Sequence, residues 1–312
     1  QGVQNQLYDA PASDKKDLAK KQSPVGEIYK ATPETSVAGI VAYPKIVDSD
    51  VDIIILTTRP YFRPEHFRAA VAANKHVFVE KPLALRVEEG EELIALSERC
   101  EKTLMVGHIL EYHPAILKLK EIIDSGELGR INYIYSNRLN LGKVRSEENI
   151  LWSFAPHEFS VLLMLLGEMP DSVTALGGCY LHHDIADVTI STLSFPGDVK
   201  AHIFVSWLHP FKEQKMVVVG DKKMAVFDDV GQEKLLLYSH KIQWLQRVPV
   251  AAKAEAEVVQ IDMEEPLKAQ CQHFLDCIAR GTRPKTDGRE GLRILQVLQA
   301  LQQSLNNNGR KV

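Results

Sequence analysis

Val77-Phe78-Val79-Glu80-Lys81-Pro82 decides how this chain is read. Three apolar, β-prone residues run straight into an acid, a base and a proline, which predicts a short buried strand with a lysine at its carboxyl end. In open α/β sheets ligands bind beyond the carboxyl ends of parallel strands, so Lys81 stands where chemistry is done. Pro82 fixes its own φ and drives Lys81 towards an extended backbone. Alone, the six residues fit an edge strand and a surface lysine equally well; their neighbours decide.

Working outward, Val51–Thr57 is a nearly continuous apolar run, as expected of a parallel strand covered on both faces. Residues 64–74 read as a helix with Pro64 at its start, 87–100 as a second helix, 103–107 as a strand, and 115–125 as a helix closed by Gly126. The order βαβαβ predicts a doubly wound parallel sheet. From Ile131 the period changes. A strand over 131–139, an apolar helix over 159–166, and strands over 172–182, 187–195, 200–209, 215–220 and 223–227 predict a second, α+β domain with a large, open, mostly antiparallel sheet. Two amphipathic helices, 267–280 and 288–305, complete the chain.

Here the chain resembles the glucose–fructose oxidoreductase/inositol dehydrogenase (Gfo/Idh/MocA) family. The resemblance rests on Glu80-Lys81-Pro82, on Gly107-His108, on Gly126-Glu127-Leu128-Gly129 and on Ala155-Pro156-His157-Glu158, and covers about residues 45–305. Within the family it is similar to the nucleotide-sugar branch, the UDP-N-acetylglucosamine (or uronic acid) 3-dehydrogenases. That similarity lies in Ser136 to Gly142 and Ile150 to His157. The resemblance implies a cofactor domain over 1–128, a substrate and oligomerisation domain over 129–288, and a helix over 289–312 returning to the first. It implies NAD, or NADP, as cofactor and oxidation of a secondary hydroxyl, at C3 in that branch.

The start of the chain departs from this pattern. No strand runs into Gly-x-Gly-x-x-Gly before Val51, and Gly2, Gly26 and Gly39 are isolated. The parallel sheet is therefore expected to lack its first βα unit, through truncation or processing ahead of Gln1 or through real loss of the dinucleotide loop. Asp9, after Leu7-Tyr8, stands where the family's ribose-binding acid would be; residues 1–35 read equally as a disordered polar leader.

The resemblance gives the cofactor Thr57, Thr58, Pro60, Glu80, Lys81 and His108. Arg63 and His66 are phosphate or nicotinamide candidates, or residues of a solvated helix face. His157, read at a helix start after Pro156 where the family places its catalytic histidine, is the candidate proton acceptor, because imidazole titrates near neutral pH, with Lys81 stabilising the developing alkoxide. Arg138, Asn140, Lys143 and Arg145 follow a strand facing the expected cleft, and two or three cations there suit a diphosphate or carboxylate. Trp152 reads as a sugar-stacking ring or as core. Glu111 and His113 are expected to line the cleft, and Trp207 and His209 to reach the substrate or a subunit interface. His182, His183, Asp184 and Asp187 suggest a metal only superficially, since adjacent histidines in a strand point to opposite faces.

The 312 residues are 45% hydrophobic and 25% charged with net charge −4, the profile of a soluble protein of about two domains. Basic residues are interspersed with acids, which excludes a nucleic-acid stripe. No apolar run approaches the ~18 residues of a membrane span, and no signal peptide is visible. Cys100, Cys179, Cys271 and Cys277 lack metal spacing and read as reduced, buried thiols of a cytoplasmic protein. The open sheet predicts a homodimer or homotetramer. The competing class is a non-catalytic, cofactor-deficient sugar-binding homologue; a free-sugar or polyol dehydrogenase is a further alternative.

Overall fold

In the computed structural model, residues 49–142 and 144–312 are described, and 50–312 form one compact unit. Asp9 and Lys143 lie outside the described residues.

Among the described residues the parallel sheet has three strands, β1 (Ile53–Leu56), β2 (His76–Val79) and β3 (Leu104–Val106), in the order β1-β2-β3. Their registers are regular, with Ile54 opposite Val77 and Phe78 opposite Met105. Helices α1 (Arg63–Ala72) and α2 (Val87–Arg99) are the crossovers. Coverage on both faces holds for β2 and β3. In β1, Ile55 is 56% exposed. After β3 a 3-10 turn, Ile109–Tyr112, leads into α3 (Pro114–Asp124). His113 caps α3 by accepting from the Ala115 amide.

Among the described residues the second sheet has eight strands. They are β4 (Ile131–Leu139), β5 (Ser172–Gly178), β6 (Val188–Ser194), β7 (Lys200–Ser206), β8 (Glu213–Gly220), β9 (Met224–Asp228), β10 (Leu235–Tyr238) and β13 (Ala256–Val258). The order is β13-β10-β9-β8-β4-β7-β6-β5, antiparallel except for the β4–β7 pair. β11 (Lys241–Leu245) and β12 (Val248–Ala252) form a separate hairpin. Sequence reading misses these last four strands; each is short, and β11 and β12 are exposed at nearly every residue, so no alternation marks them.

One face of this sheet packs on α4 (Ile150–Leu166), whose Phe159, Leu162 and Leu163 join Ile134, Ile203 and Val218 in the main core. The other face is open, with Tyr133, Leu176 and Ile190 exposed and Tyr135 stacked on His202 at 5.3 Å. α4 begins nine residues earlier than the apolar run predicts. Asn149 caps it through the Trp152 amide, and Pro156 lies inside it, so His157 is a mid-helix residue and not a helix-start one.

α5 (Pro266–Arg280) and α6 (Gly288–Asn306) return to the parallel sheet. Phe274 of α5 packs on Phe78, Met105 and Tyr112, so α5 belongs with the first sheet, the return that the family resemblance implies for both terminal helices, although a domain boundary at 288 leaves α5 in the second domain. The segment before α6 extends β3: the Val106 amide donates to Thr286 O, and Thr286 Oγ1 donates back to Val106 O, each at 2.8 Å. Gly288 and Gly291 permit this approach, since a Cβ would sit 2.6 Å from a Leu104 methyl and 2.8 Å from a Val106 methyl. α6 also touches α4 and β5, and so ties the two sheets together.

Candidate active site

The turns after the three parallel strands lie side by side. The Glu80 amide donates to Leu56 O at 2.9 Å and the Gly107 amide to Val79 O at 2.8 Å, which brings Thr57-Thr58, Glu80-Lys81 and Gly107-His108 together. Gly107 is where backbone must come close: a Cβ there would meet Glu80 Oε2 and the Phe78 ring, both at 3.3 Å.

Arg63 holds this edge from below. Its guanidinium donates to Thr58 O, Glu80 O and Pro82 O, each at 2.7 Å, and its side chain is buried. Burial lowers its pKa to about 10, against the opposing pull of Glu80 and Glu148. Of the two readings offered by sequence, phosphate contact or solvated helix face, neither describes this role. Arg63 is a backbone clamp that sets the position of Lys81. His66 is buried beside it, with Nδ1 3.1 Å from Thr58 Oγ1 and its ring stacked on Phe62.

Lys81 is largely enclosed. Its Nζ donates to Ser153 O of α4 at 2.7 Å, in the turn that holds Pro156. Enclosure brings its pKa down to about 8, an effect that Glu148 and Glu80 oppose and Arg145 and Arg63 reinforce. His108 is 1% exposed, and neither ring nitrogen has a hydrogen-bond partner among the described residues. Desolvation, with Lys81 second, lowers its pKa to about 3, so the ring is neutral. His157 is held well below the usual histidine range by burial first, then by Lys81, Arg138 and His108. Its Nδ1 is buried without a partner among the described residues. Lys81, His108 and His157 thus come from three elements into one electrostatic cluster, containing two neutral imidazoles and one lysine able to exchange its proton near neutral pH.

The other sequence candidates fare differently. Thr57 is exposed at the rim, and Pro60 opens the 3-10 turn Pro60–Phe62. Glu80 holds Arg63 by its carbonyl and faces Gly107 with its carboxylate. Arg138 is not an open anion grip: its Nε is bonded to Glu158 Oε1, and its side chain is 11% exposed. Arg138, Ser136 and Ile134 alternate on the strand face that packs under α4, which is why Arg138 points at α4. Asn140 folds back over Gly142, and Arg145 pairs with Glu148 at 3.4 Å. The loop carrying them reaches the cofactor-side turns, because Glu147 pairs with Arg59 at 3.2 Å and Glu148 acts on Arg63 and Lys81. Trp152 is no stacking platform. Its indole N–H donates to Gln302 of α6 at 2.9 Å, and it packs on the core.

Further residues resolve simply. Glu111 is 1% exposed and beside Glu290, away from an open cleft; His113 bonds Ala115 N and lies 3.5 Å from Asp229. Trp207 is core, and His209 contacts Phe211 O. Asp187 accepts from the amides of Tyr180 and Leu181, so it organises the turn that carries His182 and His183. Among the described residues no group of three or more His, Cys, Asp or Glu is arranged to hold a metal, and no helix is long and apolar enough to cross a membrane. Cys277 is buried, but Cys100, Cys179 and Cys271 are exposed, which corrects the expectation of four buried thiols. Sequence reading missed Glu148, Ser153 and the Glu158 pairing. Only the alternation of Ser136 and Arg138 with Ile134 signalled any of these.

Two family models match the chain: an oxidoreductase family with an NAD-binding Rossmann fold over residues 17–108, and a GFO/IDH/MocA C-terminal domain over 116–226. The chain belongs to the GFO/IDH/MocA oxidoreductase family. A 2,7-anhydro-N-acetylneuraminate hydratase of Escherichia coli is 27% identical over 188 residues, 55% of this chain and 50% of that protein. The UDP-N-acetylglucosamine 3-dehydrogenase of Acidithiobacillus ferrooxidans is 25% identical over 248 residues, 79% of this chain and 76% of that one. A solved structure of the latter enzyme superposes with a TM-score of 0.75 at 22% identity, covering 89% of this chain and 88% of that one. A levoglucosan dehydrogenase in complex with NADH gives 0.75 at 17% identity, covering 90% and 87%. The chain thus spans half the length of the first relative and about three quarters of the second, and the two carry different net activities in their names.

Proposed function

We propose that the protein is an NAD-dependent dehydrogenase that oxidises a secondary hydroxyl of a sugar, in the finer reading C3 of a nucleotide-activated hexosamine or hexuronate. The observation that carries the proposal is the meeting of Lys81, His108 and His157 at the carboxyl ends of the parallel strands. The turns present fit a dinucleotide. Thr57, Thr58 and Pro60 rim the sheet edge, Gly107 admits close backbone approach, and the neutral, unpartnered His108 leaves donor and acceptor capacity in the site. When bound there, NAD supplies the hydride acceptor.

The chain's own residues divide the remaining work. His157, neutral because burial and neighbouring cations disfavour its charged form, takes the hydroxyl proton. Lys81 turns its ammonium from Ser153 O to the reacting oxygen and stabilises the alkoxide as it forms. Arg63 keeps the Lys81 backbone fixed through three carbonyls.

Support for the nucleotide-sugar reading comes from the Acidithiobacillus relative and from Arg145, a cation whose charge acts on Lys81. One observation favours an uncharged sugar or polyol instead: Arg138, the cation expected to grip an anion, is spent on Glu158. The open face with Tyr133, Leu176 and Ile190 supports a homodimer or homotetramer formed through the second sheet.

Calorimetry with NAD, followed by NADH formation with UDP-N-acetylglucosamine, its uronic acid, free hexoses and inositol, tests the proposal. Turnover of any of these, lost in His157→Gln with KM little changed, supports it. NAD binding without turnover of any substrate in the panel overturns the dehydrogenase reading, and no NAD binding favours the cofactor-deficient homologue. Preference for the free sugars removes the nucleotide-sugar refinement.

A further inference from the structure

A polar chain runs from the residue after His157 through the body of the second sheet. Glu158, the next residue on α4, accepts from Ser136 Oγ and from Arg138 Nε, both on β4. With the side-chain amide of Gln214 on β8 turned to the orientation that satisfies both of its groups, its oxygen accepts from Arg138 Nη1 at 2.9 Å and its nitrogen donates to Asp229 Oδ2 at 2.8 Å. Asp229 in turn lies 3.5 Å from His113 Nε2, at the start of α3. Glu158, Ser136 and Arg138 are all buried or nearly so.

Burying an ion pair in a sheet-to-helix interface is costly, and apolar residues of similar volume often serve stability as well. The best-buried part of this chain, Glu158 with Ser136 and Arg138, lies at the turn of α4 that carries His157. We propose that Arg138, pinned by Glu158 and Gln214, is a positioning residue for the proton acceptor: it locks that turn of α4 onto β4 and keeps a fixed cation beside the His157 ring. The proposal deepens the reading of His157 as the group that takes the hydroxyl proton and rests on it.

The charged and titratable groups acting on His157 are Lys81 from the end of β2, His108 from the end of β3, and Arg138 from β4, with Glu158 adjacent on its own helix. Arg138 differs from Lys81 in kind. It cannot turn towards substrate while Glu158 and Gln214 hold it, and guanidinium does not give up its proton. It is thus a constant bias towards the neutral ring, whatever the state of the cofactor site.

The test reads His157 itself. Histidine-labelled protein is titrated by NMR, the His157 signal being the one that disappears in His157→Gln. Arg138→Met is expected to raise the His157 midpoint by about one pH unit, as loss of a nearby cation should. Glu158→Gln, which leaves the cation in place, is expected not to raise it. The double variant Arg138→Met/Glu158→Gln leaves no buried charge uncompensated and is expected to follow Arg138→Met; it gives the same reading where the single variant does not fold. An unmoved midpoint without Arg138 overturns the proposal. So does an equal rise in Glu158→Gln, which would assign the effect to loosened packing and entry of water. None of this needs turnover: a wild type inactive on every sugar defeats the dehydrogenase reading and leaves the Arg138 measurement standing. In an active enzyme, the acidic limb of kcat/KM moves to higher pH in Arg138→Met and not in Glu158→Gln.

Discussion

Lys81→Met should make this protein more stable and less active. The substitution replaces a largely enclosed ammonium with an apolar chain of similar length. Enclosure takes the Lys81 pKa from 10.5 to about 8, so the folded chain holds that proton about 2.5 pH units less tightly than the unfolded chain. At 1.36 kcal/mol per unit, carrying the charge costs the folded state about 3 kcal/mol. The pH dependence follows from the sign. Below about pH 8 both states are protonated and the penalty is complete. As the pH rises from about 8 to 10.5 the folded lysine is neutral while the unfolded one still sheds its proton, so the penalty fades. Methionine removes the penalty but also the bond to Ser153 O, which leaves a net gain of about 1–3 kcal/mol near pH 7. For a folded unit of this size that is several degrees in Tm, at about 2–4 °C per kcal/mol. If Lys81 stabilises the developing alkoxide, the same variant loses about 10²–10³ in kcat. Thermal unfolding of both proteins near pH 7 and near pH 10, with turnover measured beside it, decides. A Tm that falls equally at both pH values, or turnover within tenfold of wild type, would refute the reasoning.

Other expectations follow from single contacts. Arg63→Met leaves the carbonyls of Thr58, Glu80 and Pro82 without their donor and should cost about 3 kcal/mol or more in chemical denaturation; Arg63→Lys should not rescue it, since one ammonium cannot reproduce the fork. Glu111, raised to about 8 by burial and by Glu290, is easier to keep folded when protonated, so its contribution to stability is lost as pH rises from about 4.5 to 8. Glu111→Gln should flatten that decline in Tm, and an unchanged pH profile would show that the carboxyl is not protonated in the fold. Trp152→Phe loses the bond to Gln302 and should cost about 1 kcal/mol in stability with KM unchanged; a KM rise without loss of stability would restore the ring as a substrate platform.

Most of the order of elements, and the family, can be read from the sequence alone. The apolar runs of β1 to β3, the spacing of the crossover helices and the change of period at Ile131 are local patterns, and local patterns survive being read one window at a time. The lysine at the end of β2 and the histidine after β3 were legible for the same reason, because strand ends are where such sheets present side chains. The partners of the site residues come from tertiary packing. Pro156 and the alanine-poor start of α4 hid a helix that Asn149 caps and the core stabilises, so His157 was read at a helix start. Arg63 and Arg138 were offered as ligand-facing cations because an arginine near a cleft is chemically ambiguous until its partners are known. Three carbonyls hold the first, drawn from residues 5, 17 and 19 positions away, and the second is held by a glutamate 20 positions on. Trp152 meets Gln302 across 150 residues. No periodicity encodes contacts of that separation; they arise when α6 returns to both sheets, and with them comes the difference between a side chain that meets a ligand and one that holds the site in place.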